Sequence, residues 1–211
     1  MKLHVLPAGP IRTNAYLLTA SERGEALLID APGDVWAEFE PILAAEKCRL
    51  VELWITHGHW DHTQGGAEVV RATGAKVSAH EADKVLIETP EIMERVLGED
   101  LDLEPMHVDR WVKQGDRLEV LGLSAEVREV PGHCAGNVLF YFAAAGAAFV
   151  GDALFAGNVG RTDLPGGDFD QLERSIREQI YTLPEDTVVY PGHGYDTTVG
   201  AERSTNPHVT G

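Results

Sequence analysis

The chain has 211 residues and a formal charge of −17, from 34 acidic against 17 basic side chains. At 44% hydrophobic and 24% charged it lies in the globular range, which excludes a mainly disordered chain. The acidity argues against a phosphate backbone as partner, and the longest apolar stretches, such as 137–150, are interrupted or too short to span a bilayer.

The length fits one domain over residues 1–211. Met1-Lys2-Leu3-His4-Val5-Leu6-Pro7 has one lysine and no apolar run of signal-peptide length, so a cytoplasmic location is expected. Segments 2–6, 15–19 and 26–30 read as short strands with Gly, Pro and Ser between them. Residues 37–47 read as a helix with Pro41 in its first turn. A buried strand over 52–56 runs into a polar motif at 57–62, and helix follows over 63–73. Residues 76–79 read as strand and 80–88 as a short helix. The acidic, proline-marked stretch 89–112 is the least periodic and is expected to cover one side of a cleft. Strands return over 117–121, 125–130, 137–142 and 147–151. Residues 168–181 read as a helix, with Phe169, Leu172, Ile176 and Ile180 on one stripe, and 187–190 as a last strand. This order suits an α+β chain of two sheets packed face to face with helices outside; a parallel doubly wound sheet would alternate strand and helix more regularly.

The polar motifs fall just beyond the ends of apolar strands, where rigid elements present loops at one edge of a core. The first is His57-Gly58-His59-Trp60-Asp61-His62, three imidazoles and a carboxylate within six residues. So many polar groups cannot all be core packing, because each would need partners. In an extended turn His57 and His59 point the same way and can bind one ion, with Asp61 and His62 projecting to a second. Further donors follow strands at His133 in Pro131-Gly132-His133, Asp152 in Gly151-Asp152, and His193 in Pro191-Gly192-His193-Gly194. The competing reading, a solvated histidine-rich surface turn, is already disfavoured by the first motif alone and fails against the ordered set. Nitrogen and oxygen donors suit Zn²⁺, with Fe or Mn as alternatives. Cys48 and Cys134 are too few for a disulfide framework; Cys134 beside His133 reads as small buried filler. Trp54, Trp60, Trp111 and Tyr141 share no spacing and read as packing rather than as an aromatic binding box.

The donor set His57-x-His59-x-Asp61-His62, His133, Asp152 and His193 resembles that of the metallo-β-lactamase superfamily, over nearly the whole chain. Asp30 matches that superfamily's early strand-end aspartate, which usually lies near the metals behind the ligands; a capping or turn aspartate is the alternative reading. The segments Gly160-Arg161-Thr162-Asp163-Leu164-Pro165-Gly166-Gly167-Asp168, Thr197-Thr198-Val199-Gly200, Glu202-Arg203 and Asn206-Pro207 narrow the likeness. They are similar to the short bacterial glyoxalase II group, the hydroxyacylglutathione hydrolases. That family more often has Thr or Ser at position 134 and His at position 137, where this chain has Cys134 and Asn137. The resemblance implies a four-layer αββα sandwich and two divalent metal ions. His57, His59 and His133 would hold one, Asp61, His62 and His193 the other, and Asp152 both.

The implied reaction is hydrolysis of a small-molecule thioester, S-D-lactoylglutathione or a related hydroxyacylglutathione, by a hydroxide held between the two cations. Asp61 is expected to orient the nucleophile and Asp152 to fix the spacing of the ions. Arg161 either attracts a substrate carboxylate or pairs with Asp163, the pairing being favoured. Tyr195 either lines the cleft or packs, and Glu202-Arg203 is expected to anchor the tail. The longer glyoxalase II enzymes add a C-terminal helical domain for glutathione; with the sequence ending at Gly211, shortly after Asn206-Pro207, the usual glutathione contacts are expected to be missing or rebuilt. The rival readings are a mononuclear iron persulfide dioxygenase, which shares a Gly-Arg-Thr-Asp loop, a lactonase or β-lactamase-like hydrolase, and a binding module with structural metals. Neither nucleic acid nor membrane is expected as partner, and self-association into a homo-oligomer is left open.

Overall fold

Apolar strand patterns resolve into two six-stranded sheets in a computed structural model that describes residues 1–211. The chain divides into two compact units, Met1–Trp111 and Val112–Gly211.

The first unit opens with a meander of β1 (Lys2–Ala8), β2 (Thr13–Ala20) and β3 (Glu25–Ile29), paired antiparallel. Every residue of β2 is buried, as a strand covered on both faces requires. Helix α1 (Val35–Glu46) begins two residues earlier than the sequence pattern suggests, which moves Pro41 from the first turn into the helix interior. Strand β4 (Arg49–Trp54) then runs parallel to β3, with Ile29 beside Trp54. The motif at 57–62 is not one extended turn: Trp60–Thr63 forms a helical turn, α2, entered through an extended His59. Helix α3 (Gly66–Thr73) leads to β5 (Lys76–His80), parallel to β4. A 3-10 turn over Glu81–Asp83 precedes α4 (Lys84–Glu88). The stretch read as least periodic holds α5 (Glu91–Leu97) and the last strand of this sheet, β6 (Arg110–Val112). Leu17, Leu28, Leu53, Ile55, Phe39 and Val77 form the unit's core.

The second unit carries β7 (Arg117–Val120), β8 (Leu123–Glu129), β9 (Val138–Phe142) and β10 (Ala147–Gly151) as an antiparallel run. A small hairpin of β11 (Leu154–Phe155) and β12 (Asn158–Val159) follows. Helix α6 (Phe169–Ser175) is capped by the Asp168 side chain and continues as a π-helical turn over Ile176–Ile180. Strand β13 (Val188–Pro191) inserts parallel to β10, and β14 (Thr197–Thr198) borders it. Helix α7 (Val199–Thr205), capped by Thr198, follows. Leu139, Val150, Leu154, Leu172, Ile176, Ile180 and Val189 make this unit's core. No helix is long and apolar enough to cross a membrane.

Candidate metal centre

In the first unit, parallel pairing brings the C-terminal ends of β3 and β4 side by side. Asp30 follows β3 in the left-handed region at φ 59°, with only 1% of its surface exposed. Its Oδ1 accepts from the Thr56 backbone N–H at 2.8 Å, and its Oδ2 accepts from the Thr56 hydroxyl at 2.8 Å. The same Oδ2 accepts from His62 Nδ1 at 2.8 Å. A carboxylate donates nothing, so the neutral His62 ring carries its proton on Nδ1 and presents Nε2 as its electron-pair donor. Thr56 Oγ1 spends its single proton on Asp30, so its 3.1 Å contact with His57 Nδ1 requires that ring nitrogen to donate. His57 is thereby fixed in the same tautomer.

The rings of His57 and His59 lie 4.8 Å apart between centroids, and those of His57 and His62 4.1 Å. Asp61, in the single turn of α2, accepts from the Thr13 hydroxyl at 2.7 Å, and its Oδ2 lies 3.3 Å from His62 Nε2. The backbone of the motif is held from behind, where Gly58 N donates to Asp83 Oδ2 at 2.8 Å. Glycine is required there, because a Cβ would meet Leu86 Cβ at 2.8 Å and Asp83 Cβ at 2.9 Å. His57, His59, Asp61 and His62 are all buried.

In the second unit β8, β10 and β13 all run in one direction, β8 through two antiparallel steps and β13 by direct parallel pairing. Their C-terminal ends therefore deliver His133, Asp152 and His193 to one edge of the sheet. His193 Nε2 lies 3.4 Å from Asp152 Oδ2, and His133 Nε2 lies 3.7 Å from the same oxygen. His133 Nδ1 donates to the Arg161 carbonyl at 2.7 Å, which makes Nε2 the electron-pair donor here too. Gly160 lets this loop approach: a Cβ there would fall 1.9 Å from the Asp152 carbonyl oxygen.

These spacings test whether the donors suit a metal. Two ligands of a tetrahedral ion with bonds of about 2.0–2.1 Å lie roughly 3.3–3.4 Å apart. The observed 3.3 and 3.4 Å pairs meet that figure and the 3.7 Å pair approaches it. Three histidines are also held by Nδ1 in the tautomer that binds a cation through Nε2. Each unit thus carries donors able to join metal-holding groups: His57, His59, Asp61 and His62 in the first, His133, Asp152 and His193 in the second. Buried carboxylates at Asp30, Asp61 and Asp152 favour a cation for the same reason.

The side chains of the remaining sequence candidates have other surroundings. The Arg161 guanidinium forks onto Asp163 at 2.7 and 2.8 Å, the pairing favoured from sequence, and holds the Asp163 carboxyl down at about 2. Tyr195 is 86% exposed. Cys134, Trp54 and Tyr141 are buried. Sequence reasoning missed Thr13, Thr56 and Asp83, which hold the motif. Thr56 carried a local signal, being the hydroxyl between an apolar strand and His57. Asp83, 25 residues from the glycine it holds, carried none.

Comparison with known proteins gives a consistent result. The family model described as the Metallo-beta-lactamase superfamily matches residues 8–193. The hydroxyacylglutathione hydrolase GloC of Haemophilus influenzae is 33% identical, over 99% of this chain and 98% of its own. The crystal structure of the BLEG-1 B3 metallo-beta-lactamase superposes with a TM-score of 0.91 at 33% identity, covering 100% of both chains. TTHA1623, solved in a di-iron-bound form, gives 0.85 at 33% identity over 98% of this chain and 100% of its own. These likenesses bear out the α+β class expected from the order of strands and helices.

Proposed function

The chain belongs to the metallo-beta-lactamase superfamily and has its fold, and from that premise we propose that it hydrolyses a thioester, S-D-lactoylglutathione or a related hydroxyacylglutathione, with two bound metal ions. In this reading His57, His59 and His133 would hold one ion, Asp61, His62 and His193 the other, and Asp152 would contribute to both. The observation that carries the metal-dependent chemistry is the tautomer lock on His57, His62 and His133 together with the donor spacing near 3.3–3.7 Å. The choice of a thioester is supported by the end-to-end match to a relative named as a hydroxyacylglutathione hydrolase.

Two divalent ions in such a site acidify water toward neutrality and stabilise negative charge on a carbonyl oxygen. The protein's own part is positional. Asp61, steadied by the Thr13 hydroxyl, orients the attacking water. Asp30 and Thr56 keep the His62 and His57 rings from turning. Water adds its oxygen to the acyl carbon as the carbon–sulfur bond breaks, and its proton leaves with the thiolate. Thiolate departs readily, so no side chain need serve as a strong general acid. Arg161, engaged by Asp163, is not needed to hold a substrate carboxylate.

The test is hydrolysis of S-D-lactoylglutathione by protein whose metal content has been measured. Two ions per chain with thiol release supports the proposal. One iron with oxygen uptake on a persulfide selects the dioxygenase reading. The extent of the likeness to BLEG-1 favours β-lactam hydrolysis as second reading, and turnover of nitrocefin but not of the thioester would select it. Asp152→Ala should lose bound metal and nearly all turnover; wild-type turnover by a metal-free Asp152→Ala protein would sink the mechanism.

A further inference from the structure

One motif is not absorbed by this function. Thr197-Thr198, Glu202 and Asn206 sit beyond the last proposed ligand, yet Glu202 and Asn206 are buried, at 4% and 0% exposure. A carboxylate taken so far out of water is tolerated only when its oxygens are met by donors. Glu202 meets that condition. Its Oε1 accepts from the Thr197 hydroxyl at 2.7 Å. Its Oε2 accepts from the Gly157 backbone N–H at 3.0 Å and from Asn206 Nδ2 at 2.8 Å. Asn206 Nδ2 also donates to the Asn158 carbonyl at 3.1 Å, while its Oδ1 accepts from the backbone N–H groups of His208 and Val209.

These bonds join two segments that are distant in sequence. Gly157 lies at the tip of the β11–β12 hairpin and Asn158 begins β12; the hairpin follows directly after Asp152 and Ala153. Thr197 lies on β14, at the far end of the loop that begins at Pro191 and carries His193. The two segments meet at the imidazole. Phe155, on the hairpin, sets its ring edge-on to His193 with centroids 6.0 Å apart and planes at 76°. His193 is the proposed ligand with the most exposed side chain, at 28%, against 2% for His133 and 0% for His62. His62 and His133 are oriented by hydrogen bonds at Nδ1. The packing of Phe155 against His193 places a restraint on that ring which depends on where the hairpin is held.

We propose that Glu202 and Asn206 are positioning residues for His193: a buried carboxylate–amide clamp that fastens the hairpin bearing Phe155 to the base of the His193 loop and so presets the imidazole for metal. This rests on the metal-site reading above. The clamp explains why an acid and an amide stand four residues apart, Glu202 in α7 and Asn206 capping its C-terminal end. At that spacing both project from one helix face toward the hairpin tip. It also explains why a charged residue is used. Oε2 receives two donors at once, and a glutamine could keep both only by turning its own N–H₂ to the Thr197 hydroxyl, which would then have to accept instead of donate.

The experiment uses the full-length protein loaded with Zn²⁺, challenged by a graded competing chelator. Metal retained per chain and Tm are read for wild type, Glu202→Gln, Phe155→Ala and the double variant. Both single variants should release metal at about ten- to a hundredfold lower chelator activity, the usual effect of losing support behind a ligand. The double variant should be no weaker than Phe155→Ala, because the two changes act through one contact. A fall in Tm for Glu202→Gln with an unshifted release midpoint would show a merely structural clamp and overturn the proposal. If Glu202→Gln does not fold, Phe155→Ala decides, since Phe155 is only partly buried; an unshifted midpoint there is equally fatal. Failure of wild type itself to retain metal would instead bring down the metal-site reading, and this inference with it.

Discussion

At the scale of single residues, the proton inventory is more informative than proximity. Asp30 Oδ2 accepts from both Thr56 Oγ1 and His62 Nδ1, and that double acceptance determines two histidine tautomers. Asp30→Asn is the sharpest test, because shape is kept and only the acceptor count changes. Whichever way the amide turns, its N–H₂ faces at least one group that must itself donate. The expected result is a loss of about 1–3 kcal/mol of stability for a buried unsatisfied donor, read by denaturant titration. Metal affinity should fall by about ten- to a hundredfold, read by chelator competition. Unchanged metal affinity would mean that the tautomer lock does not matter. Asp30 also occupies left-handed backbone, at φ 59°, a conformation aspartate tolerates better than most residues. Alanine would thus mix backbone strain with the lost hydrogen bonds, which is why asparagine is the cleaner probe.

At the scale of elements, strands aim the donors and salt links secure the outer layer. Glu46 ends α1 and gathers Lys2, His4 and Thr19 from β1 and β2. The Lys2 ammonium, the Thr19 hydroxyl and the His4 ring hold the Glu46 carboxyl down at about 2, against an ordinary 4.5. A carboxyl depressed on folding stabilises the native state above its unfolded value, and that contribution fades as pH falls from about 4.5 toward 2. Glu46→Gln should therefore show a shallower loss of unfolding free energy than wild type across that window. Parallel slopes for the two proteins would assign the acid dependence to other groups. The strands that lead to the proposed ligands were legible in sequence because each is a run or alternation of apolar residues followed within a few residues by Gly, His or Asp. Helix α5 was not, because two turns give too short a sample of periodicity, and its Ile92, Met93, Val96 and Leu97 lie among acids. The helical turn at Trp60–Thr63 was hidden for a related reason: four residues of motif fit an extended reading equally well until Thr13, on a neighbouring strand, is seen to hold Asp61. Glu202 illustrates the same limit. Its role depends on Gly157 and Asn158, which lie over forty residues earlier in the chain.

At the scale of the whole molecule, charge sets a condition on catalysis that no single residue reveals. A protein of formal charge −17 repels an anion at long range. S-D-lactoylglutathione is a net anion, so the proposed substrate must approach against that field. Bound divalent ions attract it at short range, where they dominate the local potential. Salt separates the two contributions. The Debye length shrinks from about 30 Å at 0.01 M to about 8 Å at 0.15 M ionic strength. Added salt therefore screens the distant surface acids more than the ions beside the scissile bond. kcat/KM should accordingly rise over that range, while kcat, which reports the bound complex, stays nearly level. A neutral thioester of similar leaving group should show no such rise. A fall in kcat/KM with salt for the anionic substrate would instead mean that local cations steer it from a distance, and would redirect attention to exposed basic side chains such as Arg12 and Arg71.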